Sequence, residues 1–101
     1  MAADEPAMEL EFQFETSCVN HIAECRYRLT VPVTVSRKLQ KLEADLTDVY
    51  NVMMNGRVIY SGMRDREGLW IVRGNLVDGG QLDVTMTFRF SDLHVELIDV
   101  A

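Results

Sequence analysis

Both cysteines of the chain and one of its two histidines fall within a single short stretch. In SCVNHIAEC, residues 17–25, the side chains of Cys18, His21 and Cys25 are of the types that bind zinc or form a redox pair. Zinc usually takes four tetrahedral ligands, and His94 would be the remaining candidate. The spacing C-x2-H-x3-C is not an established zinc motif. A metal- or redox-responsive regulator is therefore the weaker alternative, and we expect no cofactor.

Three carboxylates near the start of the chain are candidates for acid–base chemistry or for contact with a partner. Glu9, Glu11 and Glu15 alternate with apolar residues and take the solvent-facing phase of a predicted strand. Paired carboxylates catalyse only where their surroundings drive their pKa values apart. We therefore interpret these three as surface groups that contact a partner, and we predict no catalytic residue.

Aromatic residues of the predicted sheet are the other candidate contacts. Both phases of LWIVR, residues 69–73, carry apolar side chains, so this strand is covered on both sides or presents an apolar contact surface. Exposed aromatic residues commonly anchor protein interfaces. Trp70 and Tyr60 are therefore predicted to contact a partner, with a place in the core as the alternative for Trp70.

The bulk composition is that of a small acidic globular chain. It has 101 residues, 48% of them hydrophobic, and a net charge of −6. We expect a flexible N-terminus over residues 1–7 and one domain over residues 8–101. The negative charge disfavours direct binding to nucleic acid or anionic membranes and favours a basic protein partner. The chain lacks a secretory signal and an apolar run of roughly 20 residues, so we expect a cytoplasmic protein with no membrane association.

Two strands are predicted before the first helix. MELEFQFE, residues 8–15, and ECRYRLTVPV, residues 24–33, alternate apolar and polar side chains with a period of two. This pattern predicts a hairpin with residues 16–23 as its loop. Cys25 then belongs to the inward row of the second strand, whereas Cys18 and His21 lie in the loop.

A helical period follows the second predicted strand. Ser36 is the predicted N-cap. The apolar stripe recurs at three- and four-residue steps and comprises Leu39, Leu42, Leu46, Val49 or Tyr50, and Met53. Residues 49–54 are ambiguous, because Asn55-Gly56 is typical both of a helix C-terminal cap and of a two-residue hairpin turn. The continuation of the stripe to Met53 favours the helix.

The C-terminal half predicts four more strands. They are RVIYSG, LWIVRG, QLDVTMTFRF and LHVELIDV, each bounded by turn residues. The inward residues of the third are Leu82, Val84, Met86, Phe88 and Phe90. The predicted fold is therefore a single α+β domain of order ββαββββ, with one α-helix packed on a mostly antiparallel sheet of about six strands.

These features favour a non-catalytic interaction protein that binds a protein partner through a sheet face or an edge strand. An inhibitor, an immunity or antitoxin-like protein and an accessory subunit all fit this description, and an unpaired edge also allows a homodimer. The alternative is a small-ligand-binding protein or small enzyme with an apolar pocket between helix and sheet. The residues predicted to line that pocket are Met53, Trp70, Met86 and Phe88.

Overall fold

Three helices and a five-stranded sheet make up the part of the chain that the structure describes. The computed structural model describes residues 12–24, 29–76, 79–89 and 94–101. Its elements, in chain order, are the helix α1 (Gln13–Glu24), the strand β1 (Leu29–Thr30), the helices α2 (Val33–Lys41) and α3 (Leu46–Asn55), and the strands β2 (Arg57–Arg64), β3 (Glu67–Asn75), β4 (Gln81–Arg89) and β5 (His94–Val100). The predicted α+β class with a mostly antiparallel sheet is confirmed.

The sheet has the strand order β1-β5-β4-β3-β2. Strands β2 to β5 form an antiparallel meander, as the four C-terminal patterns predict, and β1 adds to β5 in parallel. Strand β2 forms one edge and the two-residue β1 the other. The predicted order ββαββββ is wrong in its first half, because the described elements follow the order αβααββββ.

The predicted N-terminal hairpin is wrong where the structure describes it. Residues 13–15 of its first strand and its whole predicted loop, residues 16–23, are helical and belong to α1. Residues 8–11 and 25–28 lie outside the described residues, as does the predicted flexible N-terminus. A helix forms here instead of a strand and a loop because the buried residues recur at helical spacing and pack into the core. They are Val19, Ile22 and Ala23.

The predicted single helix is two helices that meet at a tight turn. The amides of Glu43 and Ala44 donate to the carbonyls of Gln40 and Leu39, at 3.0 and 2.9 Å. Glu43 has a φ of 56°, which completes a Schellman motif at the end of α2. The turn redirects the chain so that both helices bury apolar residues in one core.

The helix caps differ from the prediction. Ser36 lies inside α2, whose N-cap is Pro32 and makes no side-chain hydrogen bond. Helix α3 begins at a capping box, in which Asp45 and Asp48 each accept a hydrogen bond from the other's backbone amide at 3.0 and 2.9 Å. Ser36 is therefore the N-cap of neither helix, because the N-caps are Pro32 and Asp45.

The ambiguous residues 49–54 are helical, which confirms the favoured interpretation of Asn55-Gly56. Gly56 caps the helix with a φ of −87°, so it does not adopt the left-handed conformation. Glycine is required there by close packing, because a Cβ atom would overlap with the carbonyl oxygens of Val52 and Arg73.

A single hydrophobic core lies between the helices and one face of the sheet. It contains residues from all three helices and from β2, β3, β4 and β5. The sheet contributes, among others, Val58, Trp70, Val72, Leu82, Val84, Met86, Phe88, Val95 and Leu97. The predicted inward phase of β4 is thereby confirmed for four of its residues, and Phe90 lies outside the described residues.

Candidate protein-binding face of the sheet

The second face of the sheet, here called the outer face, has no described helix packed on it. Its side chains alternate with those of the core along each strand and are absent from the core cluster. It consists of Arg57, Tyr60, Gly62, Arg64, Glu67, Leu69, Ile71, Arg73, Asp83, Thr85, Thr87, Arg89, His94, Glu96 and Ile98. The register of the sheet decides which of these side chains are neighbours.

Four rows of side chains cross the outer face. One central row runs from Tyr60 through Ile71 and Thr85 to the bulge that contains Ile98. The adjacent central row comprises Gly62, Leu69, Thr87 and Glu96. The four apolar side chains of these rows, here called the apolar band, are Tyr60, Leu69, Ile71 and Ile98. The band has members on β2, β3 and β5, and Thr85 and Thr87 of β4 lie between Ile71 and Ile98.

The two outermost rows carry charges of both signs. Arg73 makes a bidentate pair with Asp83 at 2.9 and 3.0 Å, and the pKa of Arg73 is raised by that hydrogen bond and by the charge of Asp83. In the outermost row on the other side of the apolar band, Arg89 Nη1 lies 3.6 Å from Glu67 Oε2. The apolar band is therefore bordered by ion pairs along both sides, in the manner of a polar interface rim.

Tyr60 is the largest exposed side chain of the outer face. The residue is 48% exposed and directly follows the bulge of β2. The ring rests against Gly62, where an added Cβ atom would stand 2.7 Å from the Tyr60 hydroxyl oxygen. The absence of a side chain at Gly62 thus creates the seat for the ring, and the ring covers the row of Gly62 as well as its own.

A shallow depression crosses the same face from the β2–β3 turn to β5. Its lining comprises Arg64, Asp65, Glu67, Thr87, Glu96 and Ile98. Thr87 forms its floor and is only 4% exposed, although no described helix covers it. The depression therefore combines an apolar wall at Ile98 with a carboxylate at Glu96.

The structure separates the two aromatic residues that were predicted to contact a partner. Tyr60 lies on the outer face, whereas Trp70 is 4% exposed on the core side, with its ring centroid 5.6 Å from that of Phe88. Glu15 lies half-buried on α1, and Glu9 and Glu11 lie outside the described residues. Of the five predicted contacts, Tyr60 alone belongs to the outer face as described.

The thiol–imidazole pair lies on one helix. Cys18 and His21 are one turn apart on α1, and Cys25 lies outside the described residues. Burial raises the pKa of the Cys18 thiol, and the charge of Glu15 raises it further. A raised pKa disfavours the thiolate that attacks substrates or binds metal. Within the described ranges, no three His, Cys, Asp or Glu residues are grouped closely enough to hold a metal ion.

The residues predicted to line an apolar ligand pocket are packed into the core. Met53, Trp70, Met86 and Phe88 are each 4% exposed or less, and all belong to the core cluster. Their side chains occupy the space between the helices and the sheet that a ligand would need.

Several residues of the outer face were not predicted as site residues. They are Leu69, Ile71, Thr87, Glu96 and Ile98. A usable signal was present, because Leu69, Ile71 and Ile98 are apolar residues on the phase of their strands opposite the core. Apolar residues on both phases of a strand indicate that a second surface is available for contact.

Comparison of the chain with models of known protein families, with curated proteins and with solved structures finds no match. None of the helices in the described ranges has the length and apolar character needed to cross a membrane.

Proposed function

We propose that this chain is a small, non-catalytic interaction domain that binds a protein partner through the outer face of its sheet. The observation that carries the proposal is the apolar band, which crosses the sheet between two rows of ion-paired charges. Apolar side chains bordered by a polar, charged rim are the usual anatomy of a protein interface. Tyr60 supplies the half-exposed aromatic side chain that typically anchors such contacts.

The outer face is a better docking surface than the edge strand β2. The backbone amide of Val58 donates to the hydroxyl of Thr16 on α1 at 2.9 Å, so part of this edge is already occupied. A bulge interrupts the register between Val58 and Tyr60, and arginines stand at both ends of the strand. Bulges and charges are devices that discourage pairing of an edge with another strand.

The charge pattern of the outer face indicates which charges a complementary partner surface would carry. Although the chain carries a net charge of −6, this face contains arginines and carboxylates in near balance. We therefore expect a partner surface that also carries both signs of charge, rather than a uniformly basic one. An inhibitor, an immunity or antitoxin-like protein and an accessory subunit remain suitable classes. A cytoplasmic location fits the free thiol of Cys18.

A site-specific crosslink in cells of the native host tests the proposal. A photoreactive phenylalanine analogue replaces Tyr60 on the outer face, or Thr47, which is exposed on α3, as the matched control. We expect a discrete protein adduct from position 60 and none from position 47, and we expect Ile71→Glu to abolish it. Equal labelling from both positions, or no adduct from position 60, would contradict the proposal.

A further inference from the structure

We propose that the depression of the outer face receives a basic side chain of the protein partner. This inference rests on the proposed function of that face and names the chemistry of one of its contacts. The depression has a volume of about 210 Å³. Sites for small molecules usually occupy about 300–1,000 Å³, so this volume suits one inserted side chain better than a whole ligand.

The hydroxyl of Thr87 is a polar group at the floor of the depression. Thr87 is 4% exposed, and within the described ranges its side chain takes part in no hydrogen bond. Every fully enclosed side-chain oxygen or nitrogen of the described residues has a partner, so the Thr87 oxygen opens into the depression. Buried polar groups are nearly always hydrogen-bonded, and a donor that enters the depression supplies the partner that this hydroxyl lacks.

The carboxylates of the depression outnumber the cations around them. Arg89 lies 3.6 Å from Glu67 and matches the charge of that carboxylate. Glu96 forms no ion pair with any described residue. The lining contains Asp65, Glu67 and Glu96 but a single arginine, Arg64. One negative charge therefore remains after both arginines are matched, and it attracts a cation and repels an anion.

The two acceptors of the depression lie within reach of one cationic group. Thr87 and Glu96 are directly opposite each other in the register of β4 and β5. Opposite side chains on one face have Cβ atoms about 4.5–5.5 Å apart, so a single cationic group can donate to both of their oxygens. Ile98 offers apolar surface to the methylene stem that precedes such a group. Arginine and lysine both combine an apolar stem with a terminal cation that carries several donors.

Other occupants fit the depression less well. Within the described ranges, no three His, Cys, Asp or Glu residues are grouped closely enough to hold a metal ion. An apolar side chain would cover the Thr87 hydroxyl and the Glu96 carboxylate without giving either a hydrogen bond, which is costly. The ring of Tyr60 rests against Gly62, in the row that contains Thr87 and Glu96, so one partner can contact the ring and fill the depression.

Capped amino acids test the depression without the partner. N-Acetylarginine methylamide is titrated into the full chain, with N-acetylcitrulline methylamide as its neutral isostere, while NMR follows the methyl signals of Thr87 and Ile98. N-Acetyllysine methylamide and its neutral Nε-acetylated form make a second pair. We expect at least one charged probe to bind roughly tenfold or more tightly than its neutral counterpart. Equal binding within both pairs, or no binding at these methyl groups, would overturn the inference.

Three variants assign the binding to the depression. Glu96→Gln keeps the shape of the side chain and removes its charge, so we expect roughly tenfold weaker binding of the charged probe. Thr87→Val removes the hydroxyl and should weaken binding by roughly fivefold. Glu24→Gln, which removes an exposed carboxylate from α1, is the control and should leave binding unchanged. Equal losses in Glu24→Gln and Glu96→Gln would attribute the binding to net charge and overturn the inference. Circular dichroism verifies that each variant is folded.

The crosslink from position 60 separates this inference from the proposed function. In the chain that carries the photoreactive residue, Glu96→Gln should lower the amount of protein adduct by roughly fivefold or more, and Glu24→Gln should not change it. An undiminished adduct in Glu96→Gln would overturn this inference and leave the interaction domain standing. Charge-dependent binding of a probe without any adduct from position 60 would overturn the proposed function, and with it the assignment of the depression to a protein partner.

Discussion

Tyr60 and Trp70 show how two aromatic residues on paired strands take opposite roles. Trp70 is opposite Ser61 in the register and points into the core, whereas Tyr60 is opposite Ile71 and points to the outer face. The bulge between Val58 and Tyr60 contributes to this outcome, because an extra residue in β2 reverses the phase of everything that follows it. The exposure of Tyr60 is thus a consequence of one inserted residue.

Glu43 is a position where one substitution should stabilise the chain. It adopts a φ of 56° at the end of α2, a conformation that costs a non-glycine residue free energy. We expect Glu43→Gly to raise the free energy of unfolding by about 0.5–1 kcal/mol in urea titrations. Arg37→Gly in the middle of the same helix is the control and should lower it by about 1 kcal/mol. Equal losses of unfolding free energy for Glu43→Gly and Arg37→Gly would contradict this prediction.

Cys18 should react slowly with alkylating reagents. Burial and the nearby charge of Glu15 both raise the pKa of the thiol. The thiolate fraction of Cys18 at about pH 8 is therefore smaller than that of a fully solvated cysteine side chain. We expect slower iodoacetamide labelling of Cys18 than of glutathione, measured by mass spectrometry. Glu15→Gln should lower the pKa of Cys18 and speed the labelling. Labelling of Cys18 faster than that of glutathione would contradict this prediction and would support a reactive thiol.

The helices illustrate how caps and burial together define an element. Leu39, Leu42 and Leu46 continue one apolar stripe, yet the chain turns between α2 and α3 and leaves Leu42 and Leu46 each 42% exposed. The capping box of Asp45 and Asp48 was visible in the sequence as D-x-x-D ahead of an apolar run. Reading that box would have predicted two helices instead of one.

The ion pair between α2 and β5 makes a small, pH-dependent contribution to stability. Lys38 binds Asp99, and this hydrogen bond lowers the pKa of the Asp99 carboxyl below its ordinary value. A lowered folded-state pKa stabilises the fold above the unfolded-state pKa, and that stabilisation is lost as pH falls through the folded-state pKa. Because both side chains are about half exposed, we expect less than about 1 kcal/mol.

Lys38→Met tests that contribution by chemical denaturation across pH. Its destabilisation relative to wild type should be present at neutral pH and should disappear in acid once Asp99 is protonated. Lys41→Met, which removes an exposed lysine from the same helix, is the matched control and should leave the acid part of the profile unchanged. A difference that persists in acid would attribute the effect of Lys38→Met to packing instead of charge.

For the whole molecule, the two faces of the sheet should respond differently to substitution. Trp70→Ala removes a buried side chain and should cost about 3–5 kcal/mol of unfolding free energy, with a smaller loss for Trp70→Phe. Tyr60→Ala should cost less than about 1 kcal/mol, because this residue is about half exposed. Urea titration measures both losses of stability. A large loss of stability at Tyr60 would identify it as a structural residue.

The acidic net charge of the molecule does not describe its candidate binding surface. The outer face carries four arginines and three carboxylates, namely Arg57, Arg64, Arg73, Arg89, Glu67, Asp83 and Glu96. Charge summed over a chain reports on solubility and long-range steering. The arrangement of charges on one face depends instead on strand register, which brings Arg73 beside Asp83 and Arg89 beside Glu67.

Local patterns were sufficient to predict the meander β2 to β5, the end of α3 at Asn55 and the inward row of β4. In each case the period of the apolar residues and the turn residues indicate the same element. The helix α1 could not be predicted in this way, and the apolar residues of the outer face indicated only that both phases of their strands are apolar. The helix depends on burial of Val19, Ile22 and Ala23 against distant elements, and the outer face depends on which phase of each strand the helices cover. Sequence alternation separates the two faces of a strand, but long-range packing decides which of them remains exposed.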